Sequence, residues 1–293
     1  MDILNSTLTF SFVVIFANRI MEALRYISSV LVFYSLLLIR CHCLNLKLFN
    51  SSKIQIEDQW QVAAATWYGP QDGAGSDGGA CGYTESVENP PLSKMVSAGG
   101  PSLFRGGSGC GACYQVKCTE NAACSRNPVS VMISDECPNC YLRSVHFDLS
   151  GTAFGSMATP GQANNLRNVG QLNILYRRVA CSFQNSITFT IDNGATQYYF
   201  AIEIEYENGD ADLVDIKLKQ ANSNTWLPMR RSWGARWALN LGVQLQAPFS
   251  FQLTELGNNY SECIMADNVI PREWQPGQVY RSAVNFSGKS KKC

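Results

Sequence analysis

Between Ile187 and Leu253 apolar and polar residues alternate with a period of two, the pattern of strands that bury one face. Ile187, Phe189 and Ile191 begin it. Phe200, Ile202, Ile204 and Tyr206 alternate with Glu203, Glu205 and Glu207; after Asn208-Gly209, Val214, Ile216 and Leu218 alternate with Asp215, Lys217 and Lys219. This predicts an antiparallel hairpin with one buried face. Phe249, Phe251 and Leu253 predict a further strand, and together these segments predict an immunoglobulin-like β-sandwich of about 100 residues. From Trp60 to Phe183 the texture differs. Val129, Val131 and Ile133 alternate with Ser130, Met132 and Ser134 in a stretch rich in glycine and cysteine, a pattern suited to a small, loop-rich β-barrel. The chain is thus expected to be all-β and two-domain, with boundaries at 60–183 and 190–288.

The N-terminal 59 residues read as targeting sequence. Arg25 precedes an apolar run from Ile27 to Ile39, the length of a signal-peptide core and short for a membrane span. A leader over residues 1–43 is expected, with a start at Met1 or at Met21, because a second apolar stretch from Leu8 to Ile20 ends at Met21. The alternative is an anchor built from both stretches; Asn18, Arg19, Glu22 and Arg25 interrupt it. Secretion into an extracellular compartment follows, with no stable membrane span.

Charge and cysteine narrow the chemistry. The 23 basic and 23 acidic side chains cancel, which disfavours nucleic acid as a partner. Two histidines, His42 and His146, exclude a metal site built on several histidines, and neither metal nor cofactor is expected. Of twelve cysteines, ten remain once Cys41 and Cys43 leave with the leader, an even number suited to disulfides in an oxidising compartment. Cys110-Gly111-Ala112-Cys113 and Cys137-Pro138-Asn139-Cys140 have redox-motif spacing, yet structural bridges fit a secreted chain better. Asn50, Asn259 and Asn285 open glycosylation sequons.

The candidate chemistry centres on His146-Phe147-Asp148-Leu149-Ser150-Gly151. Asp148 lies between an aromatic and an apolar neighbour, and apolar surroundings raise a carboxyl pKa toward that of a general acid at a glycosidic oxygen. The alternative is a helix cap, since Leu149, Ala153 and Met157 recur at helical spacing. Glycines between Gly73 and Gly82 either let backbone approach a ligand or punctuate turns. Trp226, Trp233 and Trp237 lie among turn signals around Pro228 and Gly234, where exposed rings would stack on sugars and buried ones would fill the core.

These residues resemble the plant expansins, and specifically the β-expansins related to group-1 grass pollen allergens. The resemblance runs from about Trp60 to Phe286. It is carried by Thr66-Trp67-Tyr68-Gly69, Gly73-Ala74-Gly75 and Gly78-Gly79-Ala80-Cys81-Gly82-Tyr83; by the Asp148 motif with Ala153-Phe154-Gly155; and by Trp226-Leu227-Pro228-Met229 and Ser232-Trp233-Gly234-Ala235 with Trp237. The resemblance implies a six-stranded double-psi β-barrel, akin to family-45 endoglucanases, beside an immunoglobulin-like carbohydrate-binding sandwich. It implies bridges Cys81–Cys110, Cys113–Cys181 and Cys118–Cys124, each contributing roughly 2–4 kcal/mol in the chain-entropy model. Four cysteines exceed that pattern, and Cys137 with Cys140 and Cys263 with Cys293 are the favoured pairings.

The resemblance also implies function. Asp148 takes the place of the endoglucanase general acid, with Thr66, Tyr68, Asp77, Asp135 and His146 in the same groove. Trp67, Tyr199 and Trp233 match sugar-contacting aromatics. The implied protein is a monomeric, non-hydrolytic wall-loosening protein of the cell wall that separates cellulose from matrix glycans such as glucuronoarabinoxylan. Inverting hydrolysis needs a base about 6.5–9.5 Å from the acid, and the resemblance places Asp77 and Asp135 on the acid's own side. A hydrolase and a plain carbohydrate-binding or defence protein are the alternatives.

Overall fold

The structure, a computed structural model, describes residues 60–140, 145–210, 212–257 and 261–286. The expected leader, Asn50, Asn259 and Cys293 lie outside the described residues. Six strands, β1 (Gln61–Tyr68), β2 (Val96–Gly99), β3 (Cys113–Cys118), β4 (Val129–Glu136), β5 (His146–Ser150) and β6 (Leu172–Arg178), close a barrel in the order β1-β5-β2-β4-β3-β6. Pairing is mixed: β1 runs parallel to β5 and β2 to β4, and the other contacts are antiparallel. Small Ala63 and Ala65 on β1 leave the interior to Phe147, whose ring meets Tyr114 edge-on at 5.3 Å and Tyr176 at 5.3 Å. The alternation expected along Val129–Ser134 is lost, because Val131, Met132, Ile133 and Ser134 are all buried. Flanking segments cover the outer side of β4 as the core fills its inner side.

The second domain packs two sheets. Strands β7 (Thr188–Ile191), β8 (Tyr199–Glu205), β9 (Leu213–Gln220), β10 (Trp226–Pro228), β11 (Arg230–Trp233), β12 (Arg236–Asn240), β13 (Phe249–Leu256), β14 (Ser261–Ile270) and β15 (Val279–Arg281) form a sheet β10-β9-β13-β14 and a sheet β11-β12-β8-β7-β15. Phe189, Phe200, Phe249 and Phe251 join them, with Phe189 stacked on Phe251 at 4.9 Å. The hairpin expected across Asn208-Gly209 does not form: β8 and β9 belong to different sheets. Gly209 is held instead by the barrel end, exchanging backbone hydrogen bonds with Cys181 at 2.7 and 3.0 Å, so the chain crosses between sheets there. A register shift opposite Thr254 and Glu255 turns Val214 outward and Leu213 inward.

The polar row of β8 and its continuation also departs from expectation. Glu203, Glu205 and Glu207 are buried, because that face packs on the barrel: Ser86 donates to Glu205 at 2.5 Å. Nearby, Arg105 pairs with Asp212 at 2.5 Å and Arg178 with Asp212 at 3.6 Å. The four bridges Cys81–Cys110, Cys113–Cys181, Cys118–Cys124 and Cys137–Cys140 are all present. Cys263 is disulfide-bonded as well. None of the described helices is long and apolar enough to cross a membrane.

Candidate functional site

Strand periodicity assembles the site. Residues two apart share a face, so His146 and Asp148 project together from β5, and the parallel register sets Thr66 of β1 beside Asp148 and Ala64 beside His146. Thr66 Oγ1 lies 2.5 Å from Asp148 Oδ1 and 2.9 Å from His146 Nε2. The threonine hydroxyl donates to Asp148 Oδ1 and accepts from the His146 N–H; when Asp148 takes a proton on its other oxygen, Oδ2, the row is kept and the acid proton is directed away from Thr66. The three side chains form one hydrogen-bonded row.

Burial raises the Asp148 pKa, the Asp135 charge adds to the rise, and the Thr66 hydrogen bond and His146 oppose it. The cause differs from the one the sequence suggested. Phe147 and Leu149 point away from the carboxyl into the barrel, both fully buried, so desolvation comes from the groove walls. Burial lowers the His146 pKa, against the pull of Asp148. Asp148 does not cap the following helix, Gly151–Ser156; Ser150 does, accepting from the Ala153 N–H at 3.0 Å.

A second cluster adjoins the first. Asp135 Oδ2 accepts from Ser76 at 2.7 Å and Tyr68 at 3.1 Å, and Oδ1 accepts from the backbone N–H groups of Ala80 at 2.6 Å and Glu136 at 2.8 Å. All four donors converge on one carboxylate. Burial is the main cause that raises the Tyr68 hydroxyl pKa far above its usual value. Gly79 permits this arrangement: a Cβ there would sit 1.9 Å from the Asp135 carboxyl carbon. The glycine segment therefore lets backbone approach a side chain of the protein itself. Asp77, in the same segment, is exposed.

The aromatic candidates divide. Trp67 follows Ala63 and Ala65 along β1, is partly buried against the barrel core, and donates its indole N–H to the Arg167 carbonyl at 3.0 Å. Trp237 is buried in the sandwich core; Trp233 is 44 % exposed. Tyr199 begins β8, and strand pairing puts Tyr199, Glu203, Arg236 and Trp233 on one face of their sheet. The Arg236 guanidinium lies 4.5 Å from the Trp233 ring centroid and reaches Glu203 at 3.2 Å and Asp192. Gly82 of the barrel seats the ring edge, since a Cβ there would lie 3.0 Å from it. Trp233 thus abuts the loop that carries Ala80 to Asp135. Sequence reasoning missed Ser76 and Arg236; the one signal available was a lone hydroxyl inside a run of glycines.

A family model described as Expansin C-terminal domain matches residues 187–271, and one described as Lytic transglycolase matches residues 96–176. Putative expansin-B2 of Arabidopsis thaliana is 54 % identical over 254 residues, covering 86 % of this chain and 92 % of that protein. Expansin-B11 of Oryza sativa subsp. japonica is 49 % identical over 243 residues, covering 81 % and 82 %. Among solved structures, apo expansin of Clavibacter michiganensis superposes with a TM-score of 0.60 at 20 % identity, covering 78 % of this chain and 98 % of its own. A point mutant of that bacterial protein, in complex with cellohexaose, gives 0.59 at 18 % identity and the same coverage. These two structures share the fold.

Proposed function

The chain belongs to the plant expansin-B family and is a cell-wall loosening protein, and from that premise we propose that it separates wall polysaccharides without cutting them. Membership places it in the cell wall in a family that is generally non-enzymatic. Secretion by way of the N-terminal leader is part of the proposal. One observation carries the non-lytic reading. Asp135, the carboxylate whose charge acts on Asp148, already accepts from Ser76, Tyr68, Ala80 and Glu136. Four donors occupy the lone-pair directions of a carboxylate, so Asp135 is not poised to activate a water as the base of an inverting hydrolase.

Asp148, held by Thr66 and inclined to keep its proton, donates a hydrogen bond to a glycan hydroxyl or glycosidic oxygen. Trp67, Tyr199 and Trp233 hold sugar rings along the groove and across the domain seam. A bacterial expansin of the same fold was crystallised with cellohexaose, which supports a β-linked glycan as the class of ligand. Cellulose and matrix glycans such as glucuronoarabinoxylan are the partners. Binding that displaces one chain from another then releases hydrogen bonds between polymers and lets the wall extend.

Creep of heat-killed wall strips under constant load tests this, run beside reducing-end release from xylan and mixed-linkage glucan. The wild-type protein should extend the strips at acidic pH with no new reducing ends, and Asp148→Asn should lose most of the extension. New reducing ends that disappear in Asp148→Asn would make the protein a hydrolase instead.

A further inference from the structure

Two cysteine pairs share the Cys-X-X-Cys spacing, and the fold treats them differently. Cys110 and Cys113 pair elsewhere, with Cys81 and Cys181. Cys137 and Cys140 close on each other. Of the four bridges described at both ends, this is the one with a cysteine that is not buried. Cys81, Cys110, Cys113, Cys181, Cys118 and Cys124 are all buried, and Cys140 is 5 % exposed. Cys137 is only half-buried, and Pro138 and Asn139 beside it are exposed. Access decides which bridge a thiol can attack, and exposed bridges are the labile kind.

The bridge spans a single turn, in which the Cys140 N–H donates to the Cys137 carbonyl at 3.2 Å. A crosslink over so short a loop removes little entropy from the unfolded chain, and the barrel keeps its three buried bridges. Opening it therefore leaves the fold standing. The turn is also fixed from outside, because the Cys137 N–H donates to the Gly99 carbonyl of β2 at 2.9 Å. Two thiols held on such a turn stay close enough to join again.

We infer that Cys137–Cys140 is a thiol–disulfide exchange site for a small monothiol, with Cys137 as the sulfur attacked and Cys140 as the sulfur that leaves. The thiolate of the small molecule bonds to Cys137 Sγ; the Cys137–Cys140 bond breaks, and its electron pair departs on Cys140 Sγ, which takes up a proton. A second thiolate then attacks the small molecule's sulfur in that adduct, releases the small-molecule disulfide and returns Cys137 as a thiol. Two electrons and two protons pass from two monothiols to the bridge. The adduct forms at the rim of the groove. Cys137 follows Asp135 by two residues, and a Cβ on Gly100, whose N–H donates to the His146 carbonyl at 2.9 Å, would lie 3.4 Å from the Cys140 Cβ.

Glutathione is the probe, applied to the full protein at neutral pH, with free thiols trapped by N-ethylmaleimide and located by peptide mapping. In the wild type, Cys137 and Cys140 should be labelled at least about tenfold faster than the six buried cysteines, whose bridges require local opening before attack. Glutathione disulfide should then restore the bridge. Treated with glutathione disulfide, Cys140→Ala should gain one glutathione in intact mass, on Cys137; Cys137→Ala should gain it on Cys140 at least about tenfold more slowly. Cys118–Cys124, with a sequence separation of 6, is the control that separates access from loop size. Labelling of Cys137–Cys140 no faster than that of Cys118–Cys124 overturns the site, and so does equal uptake by the two variants. The wild-type measurement stands without either variant.

Discussion

Thr66 is the residue on which the acid depends. Its hydroxyl stabilises the ionised form of Asp148 and thereby restrains the rise that burial causes. Thr66→Val removes that restraint and keeps the shape. The Asp148 pKa should then rise further, and because the protonated form donates to the glycan, the pH at which wall extension is half lost should move upward. Creep recorded as a function of pH, with Asp148 followed by NMR titration, checks both; an unshifted or downward-shifted profile argues against the role assigned to Asp148. Asn285 gives a second test at this scale. Its Nδ2 donates to the Asn185 carbonyl at 3.0 Å and the Tyr206 carbonyl at 2.9 Å, while Oδ1 accepts from the Asn208 and Phe286 N–H groups. A glycan on Nδ2 would remove one of those hydrogens. Peptide mapping of the secreted protein should find Asn285 unmodified.

Strand β8 shows how an element acquires a property that none of its residues advertises. Its apolar row faces the sandwich core as the alternation predicted, and its acidic row, expected to be solvated, is closed off by the barrel. Burial raises Glu203 and Glu207 to about 8 and Glu205 to about 7, in spite of the Arg236 ion pair at Glu203. The sign follows from proton binding. Groups with folded pKa values above their unfolded ones favour the folded state fully below the unfolded pKa, and this contribution declines as pH rises to the folded values. Melting temperature should therefore fall between about pH 5 and pH 8. Glu205→Gln should flatten the slope by about 1 kcal/mol per pH unit, measured by thermal unfolding across that range. A slope identical to that of the wild type would mean that Glu205 stays ionised. Alternation made the strand legible, but it could not distinguish a face toward water from a face toward another domain. The β8–β9 connection failed for a related reason: Asn208-Gly209 has hairpin chemistry, and the Cys181 backbone outcompetes it.

Across the whole molecule, the two domains meet through charge as well as covalent linkage. Arg178 ends the barrel strand β6, is 4 % exposed, and reaches the Tyr114 hydroxyl at 3.0 Å, the Asp210 carbonyl and, at 3.6 Å, Asp212. Removing one member of a buried ion pair costs about 3–5 kcal/mol. Arg178→Met should lower the barrel melting temperature and split a single calorimetric transition into two; one unsplit transition at the wild-type temperature would show that the seam does not couple the domains. The sequence by itself determined the strand-rich cores, the cysteines that tie them, and the motif pair that places Thr66 and Asp148 in one family, because alternation, spacing and residue chemistry are local along the chain. Tertiary structure decided what depends on contacts between distant segments. It turned Phe147 and Leu149 away from Asp148, engaged Asp135 with four donors, buried the acidic row of β8, and set Arg236 between Trp233 and Glu203. Burial, and with it every shifted pKa in the site, depends on which segments come to cover a residue, and no local pattern records that.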